Sequence, residues 1–296
     1  MTVRIGVSPL SWTNEDMPEL GGGTPVETCL GDARTIGYAG IELGNKFPTS
    51  ADTLRDLLEC HQLQLVSGWY GAHLLERNAE AEIAAMRELA RLLKAMGCEV
   101  MVFAELTGSV HGERDTPMSK RRQLQASDAD RLGREMTAVA RSLRDDGLRM
   151  AYHHHVGTVV ETAEEIDLLM DACGDEVGLL LDTGHLYVAG VDPAAVVQRH
   201  AERIAHVHLK DVRATVMADA RARDMSFLDA VLAGLFTVPG AGAGDYRPVF
   251  EALAAVDYAG WLVVEADQDP EQAEPREVAG LGYETVSRLA RAVGLI

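Results

Sequence analysis

Leu179-Leu180-Leu181-Asp182-Thr183-Gly184-His185 is an apolar run that closes on a carboxylate and, three residues on, an imidazole. His206-Val207-His208-Leu209-Lys210-Asp211 and Trp261-Leu262-Val263-Val264-Glu265 end in the same way, and Met150-Ala151-Tyr152-His153-His154-His155 ends in three histidines. An apolar run bound for a buried strand should not finish in charge unless that end meets a site. Together these ends predict one divalent cation held at the mouth of a barrel.

Working outward, short runs rich in Val, Ile or Leu recur at residues 3–8, 40–43, 63–69, 100–104, 148–153, 177–182, 204–209 and 261–266. Such runs suit parallel strands buried on both faces. Helical patterns lie between them at 76–96, 127–146, 161–172, 192–202, 245–256 and 275–293. Ser127 and Asp245 are the expected caps of two of these, and Gly97, Gly147 and Gly174 stand where helices should stop. Repeated strand–helix units predict a (β/α)8 TIM barrel, read as a single domain over 1–296. A doubly wound open sheet is the alternative, but no Gly-x-Gly-x-x-Gly follows the first strand. The long connections 105–126 and 212–244 belong on the C-terminal rim, where barrel enzymes keep their chemistry.

The 296 residues are 47% hydrophobic, enough for a large core, and carry a net charge of −19. That charge argues against a nucleic-acid partner, which needs a basic face. Cys29, Cys60, Cys98 and Cys173 form no Cys-x-x-Cys pair, so neither a zinc ribbon nor a redox motif is indicated. No secretory signal precedes Val3, and no apolar run reaches the ~18 residues a membrane span needs. The expectation is a reduced, cytoplasmic protein with no membrane partner.

Strand side chains alternate, so His153 and His155 point together, as do His206, His208 and Lys210. Inward positions converge at the rim of a narrow barrel, which brings Asp182, His208 and Glu265 to one ion. Mixed nitrogen and oxygen donors suit Mn2+, Co2+ or Zn2+. His154, on the opposite face, reads as structural, and His206 as a core histidine. Arg121-Arg122 reads as a solvated basic run or an oligomer contact, and 239–245 as a flexible rim loop.

These strand ends resemble the xylose-isomerase-like superfamily of metal-dependent barrels, whose members hold the ion with Glu, Asp, His and Glu. Asp182, His208 and Glu265 match the last three, while His153 stands where the first Glu belongs. His153, His155 or Glu161 is left as the fourth ligand. A narrower resemblance, to the myo-inosose-2 dehydratases, covers nearly the whole chain. It is carried by the opening from Ser8 to Gly21, which includes Trp12-Thr13-Asn14, and by Glu42-Leu43-Gly44-Asn45-Lys46-Phe47-Pro48. Tyr152-His153-His154-His155-Val156-Gly157-Thr158, Val238-Pro239-Gly240 and Glu265-Ala266-Asp267-Gln268-Asp269-Pro270 fit the same family. The resemblance implies loss of water from 2-keto-myo-inositol (scyllo-inosose) to a trihydroxycyclohexane-dione in inositol catabolism, with Mn2+ or Co2+.

Dehydrating a β-hydroxyketone needs a base, an electrophile for the enolate and an acid for the departing hydroxyl. The ion supplies the electrophile, and His155 or His153 moves a proton. Lys46 or Lys210 polarises an oxygen, and Glu42 is a further acid/base candidate. Trp12, Asn14, Trp69 and His185 are expected to touch the keto-inositol. A sugar or inosose isomerase or epimerase on the same barrel is the rival reading, and endonuclease IV-type DNA repair a remoter one that the charge disfavours. A homo-oligomer is expected by analogy with superfamily barrels.

Overall fold

A computed structural model of the chain describes residues 3–296. The expected absence of a leader turns on Met1 and Thr2, which lie outside the described residues. The strands are β1 (Arg4–Val7), β2 (Gly40–Ile41), β3 in two pieces (Gln64–Leu65 and Trp69–Ala72), β4 (Val100–Glu105), β5 (Arg149–His153), β6 (Val177–Asp182), β7 (Ile204–Leu209) and β8 (Trp261–Val264). Their hydrogen-bonded order is first piece of β3, β2, β1, β8, β7, β6, β5, β4, second piece of β3, with every pair parallel. Both ends of that order belong to one pass of the chain, so the sheet closes on itself into a (β/α)8 TIM barrel.

The run 63–69 is therefore not one uninterrupted strand. Leu65 pairs with β2 and Trp69 with β4, and 66–68 is where the chain changes partner. Leu43 N–H donates to the Ser67 carbonyl and Val102 N–H to the Gly68 carbonyl, at 2.9 and 3.0 Å. A two-residue period does not reveal such a change.

Strands β4, β6 and β7 are buried along their whole lengths, because helices cover one face and the barrel interior the other. The barrel floor is apolar: Val66, Trp261 and Val263 pack together, next to Val100, Val102, Ala151, Leu180 and Ala205. Gly40 leaves room for the Trp261 indole, since a Cβ there would stand 2.8 Å from it. Charged and imidazole groups form the layer above.

The helices fall where the apolar periodicity places them, among them Ala79–Ala95, Ala126–Asp145, Ala163–Ala172 and Pro275–Ala292. Neither expected cap serves. Ser127 lies inside the first turn of a helix whose N-cap is Gln125. Asp245 instead accepts from Arg247 N–H at 3.1 Å, one residue before the N-cap Tyr246.

The rim connections pack against one another. The segment after β7 folds into helices Ala214–Ala222 and Phe227–Leu232 and an antiparallel ladder of Asp211–Val212 with Phe236–Thr237. Phe227, Leu228 and Phe236 pack with Met17 from the opening loop and Val156 from the turn after β5. The loop 239–244 is tethered rather than free. The Asp211 carboxylate accepts from Gly244 N–H at 2.9 Å, and a Cβ on Gly242 would stand 2.3 Å from it.

Candidate active site

Register builds the site. Asp182 at the end of β6 lies directly beside His208 of β7, and Val263 of β8 pairs with His208 on the other side. Glu265 follows two residues after Val263, on the same face. His208 Nδ1 thus lies 3.0 Å from Glu265 Oε2 and 3.7 Å from Asp182 Oδ2. His153, at the end of β5, brings Nε2 to 3.3 Å from Asp182 Oδ2. Glu161 does not join them: it accepts from Gly157 N–H and pairs with Arg121 at 2.9 Å. Arg121 also pairs with Glu165 and its side chain is covered, so it is a clamp, whereas Arg122 beside it stays partly exposed.

Among the described residues, two donor sets lie close enough for one ion: His153, Asp182 and His208, and Glu42, His206 and His208. The second is already bridged by hydrogen bonds through Glu42. Glu42 Oε1 accepts from Ser67 Oγ at 2.6 Å and from His206 and His208 Nε2 at 3.0 Å each. In the first, His153 Nε2 meets Asp182 Oδ2, and Glu265, outside both sets, faces His208 Nδ1. Glu265 Oε2 and the Nδ1 atoms of His153, His206 and His208 are buried without hydrogen-bond partners, and a buried polar atom left unpaired is costly. Asp182, Glu265 and Asp267 surround one ammonium, that of Lys210, at 3.8, 3.3 and 2.6 Å. The donor set and its excess of negative charge fit a divalent cation, with Glu42 orienting the far nitrogen of His208 in the manner of a carboxylate–histidine–metal triad.

The titrating groups respond to this crowding. Burial pushes Glu42 and Asp182 up, but His208 beside the first, and His185 and Lys210 beside the second, outweigh it and hold both well below the carboxylate range. Burial also pushes Asp267 up, to about 6, against the pull of Lys210. His155 is held well below its usual range by burial and neighbouring imidazoles, so its ring is neutral. Its Nδ1 donates to the Val156 carbonyl at 2.7 Å, which leaves the lone pair on Nε2. His154 points the other way and its Nε2 meets Asp182 N–H at 3.4 Å.

A cavity of about 100 Å3 opens above the cluster, with Glu42, Trp69, His153, His155, Lys210 and Glu265 in its wall. Four expected contacts lie elsewhere. Trp12 is in the core, its indole N–H donating to Asp32 at 3.0 Å. Asn14 faces its own loop, its Oδ1 accepting from the Asp16 and Met17 N–H groups at 2.9 Å each. Lys46 donates to the carbonyls of Gly21, Gly22 and Thr24 at 2.6, 2.9 and 2.8 Å and is a loop clamp. His185 lies behind the wall, its ring against His155 at 3.7 Å between centroids and its Nε2 3.2 Å from Lys210 Nζ.

Sequence reasoning passed over Glu15, Asp16, His111 and Asp267, all of which line the cavity. Strand alternation carried two residues past Glu265 points to Asp267. The other three sit on loops with no period to read.

This geometry is that of a barrel whose C-terminal rim carries groups able to hold a metal ion. The model of the xylose isomerase-like TIM barrel family matches residues 30–284. The rhizopine catabolism protein MocC of Rhizobium meliloti is 46% identical over 99% of this chain and 90% of its own. The inosose dehydratase of Geobacillus thermodenitrificans is 42% identical over 94% of each chain. The crystal structure of the IOLI protein with a binding zinc atom superposes with a TM-score of 0.68 at 16% identity, over 99% of each chain, and speaks for the fold alone. The chain belongs to the xylose isomerase-like TIM barrel family and, within it, to the inosose dehydratase family.

Proposed function

We propose that the protein is a hydro-lyase that removes water from 2-keto-myo-inositol, giving a trihydroxycyclohexane-1,2-dione in inositol catabolism. The observation that carries the reading is the meeting of Asp182, His208 and Glu265 under a cavity whose β5 side presents imidazole where an isomerase or epimerase would favour a carboxylate. Full-length similarity to inosose dehydratases supports the substrate class.

Asp182, His208, Glu265 and His153 would hold the cation. Without a thiolate among them, the set accommodates Mn2+ or Co2+, with Zn2+ also admissible. A bound divalent ion would supply Lewis-acid stabilisation of the oxygen that gains charge when the α-proton leaves. His155 Nε2, neutral and facing the cavity, takes that proton. The imidazolium so formed gives it to the β-hydroxyl, whose C–O bond breaks as the new C=C bond forms, and one water departs. Lys210, held by Asp267, steadies the negative charge between those events. Trp69, 41% exposed at the mouth, offers an apolar face to the ring.

The chain would act as a single domain over 1–296, in the cytoplasm, as a homo-oligomer, without nucleic-acid or membrane partners. Among the described residues, no helix is long and apolar enough to cross a membrane. The test is mass spectrometry of 2-keto-myo-inositol incubated with metal-loaded protein. A product lighter by one water supports the proposal, and an isomer of unchanged mass would transfer the chain to the epimerase reading.

A further inference from the structure

Two rim loops that carry none of the donor residues bring a second pair of polar groups into the cavity. His111 Nε2 lies 3.8 Å from Asp16 Oδ1, and both residues are in the wall. Each is held from behind. Asp16 follows the Asx turn made by Asn14, on a loop whose end Lys46 clamps and whose Glu15 carboxylate accepts from Asn45 N–H at 3.1 Å. The opening segment and the Asn45-Lys46-Phe47 turn are thus bound to each other, and their joint product is the placement of Glu15 and Asp16.

His111 is fixed in ring orientation. Ser109 Oγ bonds the ring at Nδ1 and lies 3.1 Å from the Gly157 carbonyl. That contact leaves Nε2 as the ring nitrogen on the Asp16 side, at the cavity wall. The loop docks on the turn after β5 through Val110 N–H to the same Gly157 carbonyl, at 2.9 Å. Gly157 is at φ +82°, and a Cβ there would come within 3.3 Å of the His111 backbone and Cβ. Burial keeps the ring neutral against the opposing pull of Asp16.

An imidazole nitrogen and a carboxylate side by side at a cavity wall can each bond a hydroxyl group. A vicinal diol supplies two O–H donors at comparable spacing. We propose that Asp16 and His111 form a diol-reading subsite that hydrogen-bonds two neighbouring ring hydroxyls of a cyclic polyol. The inference rests on the polyol reading of this cavity, and it assigns specificity, not proton transfer, to the pair.

The test uses Asp16→Ala and His111→Ala in the full metal-loaded chain, with His111→Gln as a conservative variant. Asp16 is exposed, so its truncation does not depend on refolding a core. Each truncation is expected to raise KM for 2-keto-myo-inositol about tenfold, the loss of one hydrogen bond to a buried or charged acceptor, with kcat within about threefold of wild type. Calorimetry with myo-inositol, which has the hydroxyls and no ketone, is expected to show the same weakening of Kd. That arm separates the two proposals. A wild type that binds myo-inositol but forms no dehydrated product ends the dehydratase reading, while a tenfold weaker Kd in Asp16→Ala still supports the subsite. KM and Kd within twofold of wild type in both truncations, a loss confined to kcat, or no binding of myo-inositol by wild type would each overturn it.

Discussion

Glu42→Gln removes one charge and almost no volume. Glu42 Oε1 accepts three buried hydrogen bonds, from Ser67, His206 and His208, and its ionised state is stabilised by His208 and His206 against the cost of burial. A glutamine carbonyl still accepts, but hydrogen bonds to a charged group exceed neutral ones by roughly 1 kcal/mol each. Three bonds make the loss about 3 kcal/mol, a fall in Tm of roughly 6 °C in a chain of this length. Because His208 would lose the carboxylate that orients it, affinity for Mn2+ should fall about 10- to 100-fold. Ser67→Ala, which deletes only the hydroxyl, should do less on both counts. Competition against a fluorescent chelator reads the affinity, and scanning calorimetry of the metal-free protein reads the stability. A Glu42→Gln protein with wild-type Mn2+ affinity and wild-type Tm would refute the orienting role.

Other consequences are as direct. Lys46→Met should lower Tm and raise KM by loosening 21–24, while kcat stays within about threefold, because its ammonium is spent on three carbonyls; a kcat loss of 100-fold would return Lys46 to the chemistry. Glu165 is held below the usual carboxylate range: burial pushes it up, but Arg121 and the N–H groups of Thr162 and Glu161 outweigh that. Its contribution to stability is therefore complete above the unfolded Glu pKa of about 4.3 and is lost as pH falls through the depressed folded value. Urea melts should show the wild-type advantage over Glu165→Gln shrinking in acid below that point, and a constant difference from pH 7 to pH 3 would contradict the assignment. Chelation should lower Tm, and Mn2+ at about 100 times its Kd should restore about 2.7 kcal/mol; a Tm indifferent to Mn2+ would tell against the site. His155→Ala should cut kcat by about 100-fold or more with little change in KM, and wild-type turnover would remove His155 from the proton path.

What the sequence discloses follows from what repeats in it. The strands appear as apolar runs because both their faces are buried, and Asp182, His208 and Glu265 stand out because charge ends those runs. Alternation also separates His154 from His153 and His155, as the structure does. The split in β3 is invisible because changing partners alters no side-chain pattern. Trp12, Asn14 and Lys46 are prominent in motifs but sit in loops, where nothing in the spacing says which way a side chain turns. The indole goes to Asp32, the amide to its own turn and the ammonium to 21–24, so these motifs build the wall that Glu15 and Asp16 then line. His111 is silent for the same reason. Its place depends on Ser109 and Gly157, and Gly157 is 46 residues further along the chain.

Everything proposed for catalysis requires that Asp182, His208 and Glu265 share one cation. Titrating metal-free protein with Mn2+ by calorimetry, beside Asp182→Asn and Glu265→Gln, measures this without reference to any substrate. One ion per chain in wild type, with affinity at least 100-fold weaker in both variants, is the predicted result. Equal affinity and stoichiometry in all three proteins would place the ion elsewhere and contradict it.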